Sequence, residues 1–262
     1  TYTYESTGSS YTLDFCLVSK TGEFDAGGKR ATNEGIIAYT PPVPLPFSCG
    51  LVFTDDRDSN QYPTVQIGTQ CWFAKNLAYL PEVQGNDTTF VNMGNAKTPA
   101  YGVYNYTGAN VVEAKATTNY QTYGVLYNWY AAVATSSTTG TEGLQGACPT
   151  GWHIPTSAEF ATLSTYLGGD SVSGGKLKQT GTTHWFTPNT GATNESGFTV
   201  LPAGYRYYTS GAFSNMGYNT FFWSSSFSSP NALNRFLYYN YTSFISYSSS
   251  PVYGFSVRCL KN

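Results

Sequence analysis

Pro41-Pro42-Val43-Pro44-Leu45-Pro46 constrains this chain more than any other stretch. Proline has no backbone N–H and a fixed φ, so a run this dense joins neither a helix nor a sheet ladder and favours extended polyproline II. The chain must fold as one piece before the run and another after it. We place a β-rich segment at 1–40, a Pro-rich linker at 41–50 and one large domain at 51–262.

The leading piece alternates in the period of a half-buried strand, with Tyr2 and Tyr4, then Tyr11, Leu13, Phe15 and Leu17, between polar residues. Gly8-Ser9-Ser10 and Gly27-Gly28 are the expected turns. A segment this short buries too little core to stand alone. It opens at Thr1 on a strand pattern with no initiating Met, which reads as a trimmed or processed product.

Charged residues are 11% of the chain against about 25% in a typical soluble domain. The net charge of −2 and the absence of a basic run argue against nucleic acid and against an anionic membrane surface. No apolar run is long enough to cross a bilayer, so membrane insertion is not expected of this sequence. Solubility must come from Ser, Thr, Asn and Gly, a habit of secreted and cell-surface proteins. Five cysteines without a C-x-x-C pair, and only His153 and His184, argue against a zinc site. Cys148 with Cys259 is the first expected disulfide and Cys16 with Cys49 the second, leaving Cys71 free; five reduced thiols are the alternative.

Along the large domain, Thr54 to Asn60 lacks the spacing and final Glu of a calcium loop and reads as a polar turn. Tyr62 to Gly68 and Gln70 to Leu77 suit a hairpin, 84–121 reads as a long loop region, and Tyr123 to Val133 as a short helix or buried apolar segment. Thr156 and Glu159 form a capping box before the apolar stripe Phe160, Leu163, Leu167, and Gly168-Gly169 ends that helix. His153, just before the cap, is expected as a hydrogen-bonded core histidine, and Gly174-Gly175 as a hinge.

The last quarter has a different alphabet. From Tyr205 to Tyr253, Tyr, Phe, Ser and Asn fill most positions; Arg206 and Arg235 are the only charges, and Asp, Glu, Lys, His and Cys are absent. Antibody loops use a similar set, in which Tyr supplies stiff amphipathic area and Ser and Asn adaptable hydrogen bonds. Acid–base catalysis needs titratable groups that this run lacks, so it reads as a binding surface.

A series of ordered blocks carries a family resemblance: Gln70-x-Trp72-x-Ala74-x-Asn76-Leu77, Leu126-Tyr127-Asn128-Trp129-Tyr130-Ala131-Ala132, Cys148-Pro149-Thr150-Gly151-Trp152-His153-x-Pro155, Gly175-Lys176-Leu177-Lys178, Gly191-Ala192-Thr193-Asn194-x-Ser196-Gly197-Phe198, Gly204-Tyr205-Arg206, Trp223-Ser224-Ser225-Ser226 and Gly254-Phe255-Ser256-Val257-Arg258-Cys259. Together they resemble the Fibrobacter succinogenes major paralogous domain. The resemblance implies an α+β domain of the C-type lectin fold, two helices on twisted antiparallel sheets, in the branch of the formylglycine-generating enzymes. The same scaffold is similar to the variable proteins of diversity-generating retroelements, whose reverse transcriptase rewrites adenines at the 3′ end of the gene. Asn codons then become Tyr, Ser, Phe and others, but not Lys, Glu, Gln, Trp or Met. The tail fits that alphabet, with Met216 a departure, and 205–253 is the expected variable region. Tyr2 to Leu17 also resembles, more briefly, the C-terminal sheet of bacterial pilin-like proteins, which implies an N-terminal helix removed and a surface location.

Strand alternation in the tail gives a framework face of Leu233, Arg235, Leu237 and Tyr239 and an outward face of Asn234, Phe236, Tyr238 and Asn240. Past a turn, Tyr241, Phe244, Ser246, Tyr247 and Ser248 join the outward set, and Tyr207, Tyr208, Ser214, Tyr218, Phe227, Asn231 and Tyr253 complete the expected ligand contacts. The alternative is that these aromatics are ordinary core of a Tyr-rich sheet. The expected partner is a protein or glycan ligand, with no cofactor and no metal. Formylglycine-generating relatives oxidise through paired cysteines near the C-terminus, but here no cysteine lies between Cys148 and Cys259, so catalysis is not expected. The C-terminal sheet has no carboxylate for a lectin-type calcium. A structural surface or pilus module with a fixed tail is the remaining alternative.

Overall fold

The computed structural model describes residues 3–6, 11–17, 21, 27–38 and 47–262. Tyr2, Gly8-Ser9-Ser10 and the proline run 41–46 lie outside the described residues. The chain divides into two compact units, Thr1–Phe47 and Ser48–Asn262.

The first unit is a four-stranded antiparallel meander of β1 (Thr3–Ser6), β2 (Tyr11–Leu17), β3 (Gly27–Thr32) and β4 (Gly35–Ala38). Gly27-Gly28 is not a turn. It starts β3, where Gly27 pairs with Leu17 and Gly28 with Cys16. The β3–β4 turn falls instead at Asn33-Glu34, where the Thr32 hydroxyl accepts the Glu34 N–H and Gly35 takes a positive φ.

The second unit mixes helix and sheet and is richer in sheet. Its first strands are β5 (Val52–Thr54), β6 (Gln61–Ile67) and β7 (Gln70–Phe73), and β6 and β7 form the expected hairpin. Short strands β8 (Tyr101–Gly102) and β9 (Leu126–Tyr127) pair with each other. Then come β10 (Trp152–His153), β11 (Tyr205–Arg206) paired with β12 (Phe213–Ser214), the long strands β13 (Asn219–Ser228), β14 (Asn231–Tyr238) and β15 (Ile245–Ser249), and β16 (Leu260–Lys261). The five-stranded sheet runs β10-β16-β7-β6-β5, so the last strand of the unit lies beside its first hairpin. Cys148 is bonded to Cys259 across 111 residues. Cys49 is bonded to Cys71, which corrects the expected Cys16–Cys49 pair and the free Cys71. The β6–β7 hairpin returns Cys71 beside the residues leading into β5, whose partner strand is β6.

The region 84–121 is not a long loop. It holds α1 (Asp87–Asn95), α2 (Val111–Ala116) and the start of α3 (Thr118–Tyr123), capped by the side chains of Asn86, Asn110 and Thr117. The Asn and Thr residues that suggest loop are satisfying the orphan N–H groups of helix starts. Next, α4 (Trp129–Val133) is buried throughout. In α5 (Ser157–Tyr166) both arms of the Thr156/Glu159 capping box form. His153 contacts Glu159 Oε1 at 3.0 Å and Asn262 Oδ1 at 2.7 Å. Burial opposes its charge, but these two acceptors outweigh that and raise its pKa.

The expected hinge Gly174-Gly175 lies inside α6 (Asp170–Leu177). A Cβ at Gly174 would strike the Ser243 carbonyl, and one at Gly175 the Gly191 carbonyl. The glycines let the helix touch two backbones; they do not loosen it. Against α5 and α6 a core of Trp72, Phe160, Leu163, Leu177, Trp185, Phe198, Phe222, Leu237 and Phe244 closes, with Trp72 and Phe160 stacked at 5.3 Å. Among the described residues no helix is long and apolar enough to cross a membrane.

Gly174→Ala should lower stability by about 1–3 kcal/mol, the usual cost of forcing atoms into a closed contact. Urea unfolding checks this, and an unchanged midpoint would mean that α6 does not dock so closely.

Candidate functional site

The tail forms its site on one face of a three-stranded sheet. β13, β14 and β15 pair antiparallel, with Phe221 opposite Phe236, Phe236 opposite Ile245, and Asn234 opposite both Trp223 and Tyr247. Opposed residues share a face. One face carries Phe222, Arg235 and Leu237 into the core. The other carries Phe221, Phe236, Tyr238 and Tyr247. β11 and the closing segment adjoin that face, because Arg206 and Gly254 exchange two backbone hydrogen bonds of 2.9 Å.

A continuous aromatic array results. Ring centroids follow one another from Tyr207 to Tyr208 at 5.1 Å, Tyr208 to Tyr253 at 4.8 Å, Tyr253 to Phe255 at 5.2 Å and Phe255 to Phe221 at 4.6 Å. It continues from Phe221 to Phe236 at 5.1 Å, then to Tyr238 at 5.7 Å and Tyr247 at 6.0 Å, and from Tyr238 to Tyr241 at 6.0 Å. Tyr205, Tyr238 and Tyr247 stand nearly perpendicular to the rings beside them. A cleft of about 120 Å3 opens between Tyr205, Phe221, Tyr238, Tyr247, Ser249, Tyr253 and Phe255. Burial, reinforced by the neighbouring tyrosines, raises the Tyr253 pKa, so its hydroxyl stays neutral at physiological pH. The surface offers ring faces and phenol hydroxyls, which suit stacking and hydrogen bonding.

Buried cations fix this surface from behind. Arg206 donates to the carbonyls of Gly211 (2.6 Å), Gln84 and Gly85 (3.0 Å), and to Asp87 Oδ1 at 2.9 Å. Lys178 is fully buried, and its ammonium donates to the carbonyls of Thr190 (3.0 Å), Tyr238 (3.1 Å) and Tyr241 (2.9 Å). Burial pushes its pKa down to about 8. Arg235 meets Asp170 Oδ1 at 2.6 Å and the Phe244 carbonyl at 2.9 Å. The Trp-Ser-Ser-Ser block is likewise tied into the frame: the Trp223 ring packs on Phe255 at 4.3 Å and its Nε1–H donates to the Tyr127 carbonyl, Ser224 donates to the Leu233 carbonyl and Ser226 to Glu142, and Ser225 Oγ accepts the Gly143 N–H.

Of the expected contacts, Tyr207, Tyr208, Phe236, Tyr238, Tyr241, Tyr247 and Tyr253 come together, and Tyr247 is 59% exposed. Asn240 is exposed in the adjoining turn, and Ser214 pairs with Tyr205. Asn234 and Phe244 do not face outward. Asn234 is 2% exposed and donates to Ser249 Oγ at 3.0 Å, while Phe244 is 0% exposed and packs on Phe160. Ser246 and Ser248 pair with Arg235 and Leu233, on the face opposite Tyr247. Tyr218 is exposed but packs on Phe186 and Tyr239 outside the array, Phe227 packs on Trp129, and Asn231 sits at the β13–β14 hairpin. Tyr205, Phe221, Ser249 and Phe255 line the cleft without having been expected there. Strand alternation carried back from Phe236 to its partner would have found Phe221. Among the described residues no cluster of three or more His, Cys, Asp or Glu could hold a metal ion.

A family model described as the Fibrobacter succinogenes major domain matches residues 65–261. No curated protein and no solved structure matches the chain.

Phe244→Ala should cost about 3–5 kcal/mol, as for other buried aromatics, whereas Tyr247→Ala should stay within about 0.5 kcal/mol. Chemical denaturation of the two variants checks the division, which similar costs would refute. Lys178→Met strips the donor from several carbonyls at once and should cost at least about 1–3 kcal/mol. It should also speed amide hydrogen exchange in the turn after Tyr238, and unchanged exchange there would show that the turn does not depend on Lys178.

Proposed function

The chain belongs to the Fibrobacter succinogenes major domain family, and on that premise we propose that it is a non-catalytic ligand-binding protein displayed outside the cell. The observation that carries this reading is the aromatic array, exposed at Tyr207, Tyr208, Tyr241 and Tyr247 and joined to a cleft. Exposed apolar patches of this kind mark interaction sites on soluble proteins. Stiff amphipathic rings contact a protein surface and a sugar ring equally well, so the ligand class is protein or glycan. The two disulfides suit an oxidising compartment.

The reading includes a C-type lectin fold and a tail diversified by a retroelement. α5 packs against β13 and β14 and α6 against β15, with the first and last strands of the unit in one sheet, an arrangement compatible with that fold. The exposed ring positions carry Tyr, which adenine replacement reaches from Asn codons. Trp223 and Met216, outside that alphabet, have framework partners: the Trp223 ring meets the Tyr127 carbonyl, and the Met216 N–H meets Tyr104.

Deep sequencing of the 3′ end of the gene across one population tests the diversification. Substitutions should concentrate at the codons for Tyr207, Tyr208, Tyr238, Tyr241 and Tyr247 and spare Trp223, with a near-copy of the region carrying Asn codons there. An invariant tail with no such copy favours a structural module and removes diversification from the reading. Binding is tested separately by panning the purified protein against a glycan array and a displayed peptide library. Hits should vanish in the Tyr238→Ala/Tyr247→Ala variant, and hits that survive there place the ligand elsewhere.

A further inference from the structure

The buried arginines of the second unit differ in how their charge is met. Arg206 pairs with Asp87 at 2.9 Å and Arg235 with Asp170 at 2.6 Å. Arg258, 1% exposed, has no carboxylate partner among the described residues. Its donors reach Asn76 Oδ1 (2.8 Å) and the carbonyls of Phe73 (3.0 Å), Phe198 (2.6 Å) and Thr199 (3.0 Å). These neutral dipoles use four of the five guanidinium N–H groups and leave the charge uncompensated. Burial drives the Arg258 pKa down to about 9.

A second uncompensated cation lies in the same wall. Arg258 and Lys75 both line a cavity of about 300 Å3 whose other walls include Pro63, Ala74 and Leu201. Lys75 is half-buried and has no hydrogen-bond or ion-pair partner among the described residues, and burial lowers its pKa. The cavity has the volume of a small-molecule site at the lower end of the usual range, about 300 Å3. It presents apolar walls and two positive charges, and none of its lining residues is acidic. None of its lining residues lines the aromatic cleft.

We propose that this cavity binds a small organic carboxylate, with the anionic group at the Lys75 ammonium and the apolar body against Pro63, Ala74 and Leu201. The two parts of the ligand answer two features of the wall. An anion gives Lys75 the charge-assisted bond it lacks, on a wall with no acidic residue. A hydrocarbon body covers walls that a bare inorganic anion would leave wet.

Calorimetric titration of the purified chain with benzoate and hexanoate, beside benzamide and inorganic phosphate, tests the site. Both carboxylates should bind saturably, and benzamide and phosphate at least about tenfold more weakly, a difference of about 1.4 kcal/mol. Lys75→Met should weaken benzoate by about tenfold or more without lowering Tm, while Lys97→Gln, at an exposed lysine, should leave it unchanged. The Tyr238→Ala/Tyr247→Ala variant should bind benzoate as the parent does, which keeps this outcome separate from that of the aromatic array. The proposal is overturned by equal binding of benzoate and benzamide, by phosphate binding as tightly as either carboxylate, by benzoate binding that survives Lys75→Met, or by no saturable carboxylate binding. In the last two cases Lys75 merely lays its stem over apolar surface.

Discussion

Arg206 lies wholly out of water, and its guanidinium is kept there by three backbone carbonyls and one carboxylate. Those acceptors come from two separate stretches, Gln84 to Asp87 and the Gly211 turn. The same residue joins its backbone to Gly254, whose missing side chain matters because a Cβ would meet the Arg206 Cβ at 2.8 Å and the Phe90 ring at 3.0 Å. One residue therefore holds Tyr205, Tyr207 and Tyr208 beside Tyr253, which comes from a distant part of the chain. Removing one partner of such a buried cluster leaves the others desolvated and unmatched, so it acts as a unit.

Lys178 does for the far end of the array what Arg206 does for the near end. Its ammonium gathers carbonyls on both sides of the turn that carries Tyr238 and Tyr241. The glycines of α6 bring that helix down to the same turn, through the Ser243 carbonyl. In both places the contacts to the site are made through main-chain oxygens. A carbonyl is present whatever side chain the residue bears. The outward rings can change while the groups that position them do not, a physical separation of frame from surface.

The local elements were legible where one short stretch contained the whole cause. The Thr156/Glu159 box and the Phe160, Leu163, Leu167 stripe define a helix start and its buried face, and α5 follows. Asn86, Asn110 and Thr117 were harder, because a cap and a loop residue share the same chemistry and differ only in what the next turn packs against. Alternation correctly grouped Phe236 with Tyr238 and opposed them to Leu237. It could not say that Asn234, on the same side, lies under neighbouring structure, because coverage depends on Trp223 and Ser249 of other strands. Phe244 lies in the turn between β14 and β15, where period two no longer applies, and the backbone delivers it to Phe160. Phe255, in the framework block Gly254 to Cys259, is 1% exposed and yet lines the cleft, so a buried ring can still form its floor.

Stability and recognition are thus assigned to different atoms of one sheet. The inward face adds Phe222 and Leu237 to the main core, the Cys148–Cys259 bond ties the last strand to the segment before β10, and these terms do not involve Tyr241 or Tyr247. Surface positions away from caps, cavities and buried polar groups usually shift stability by no more than about 0.5 kcal/mol. A row of such positions can accept many side chains before the sum approaches the few kcal/mol that keep a domain folded. Tyr238 and Phe236 are intermediate, each half-buried against other rings, so changes there alter both terms. If the tail is rewritten, the tolerated alphabet should narrow from Tyr247 inward to Phe236, following burial rather than chain position.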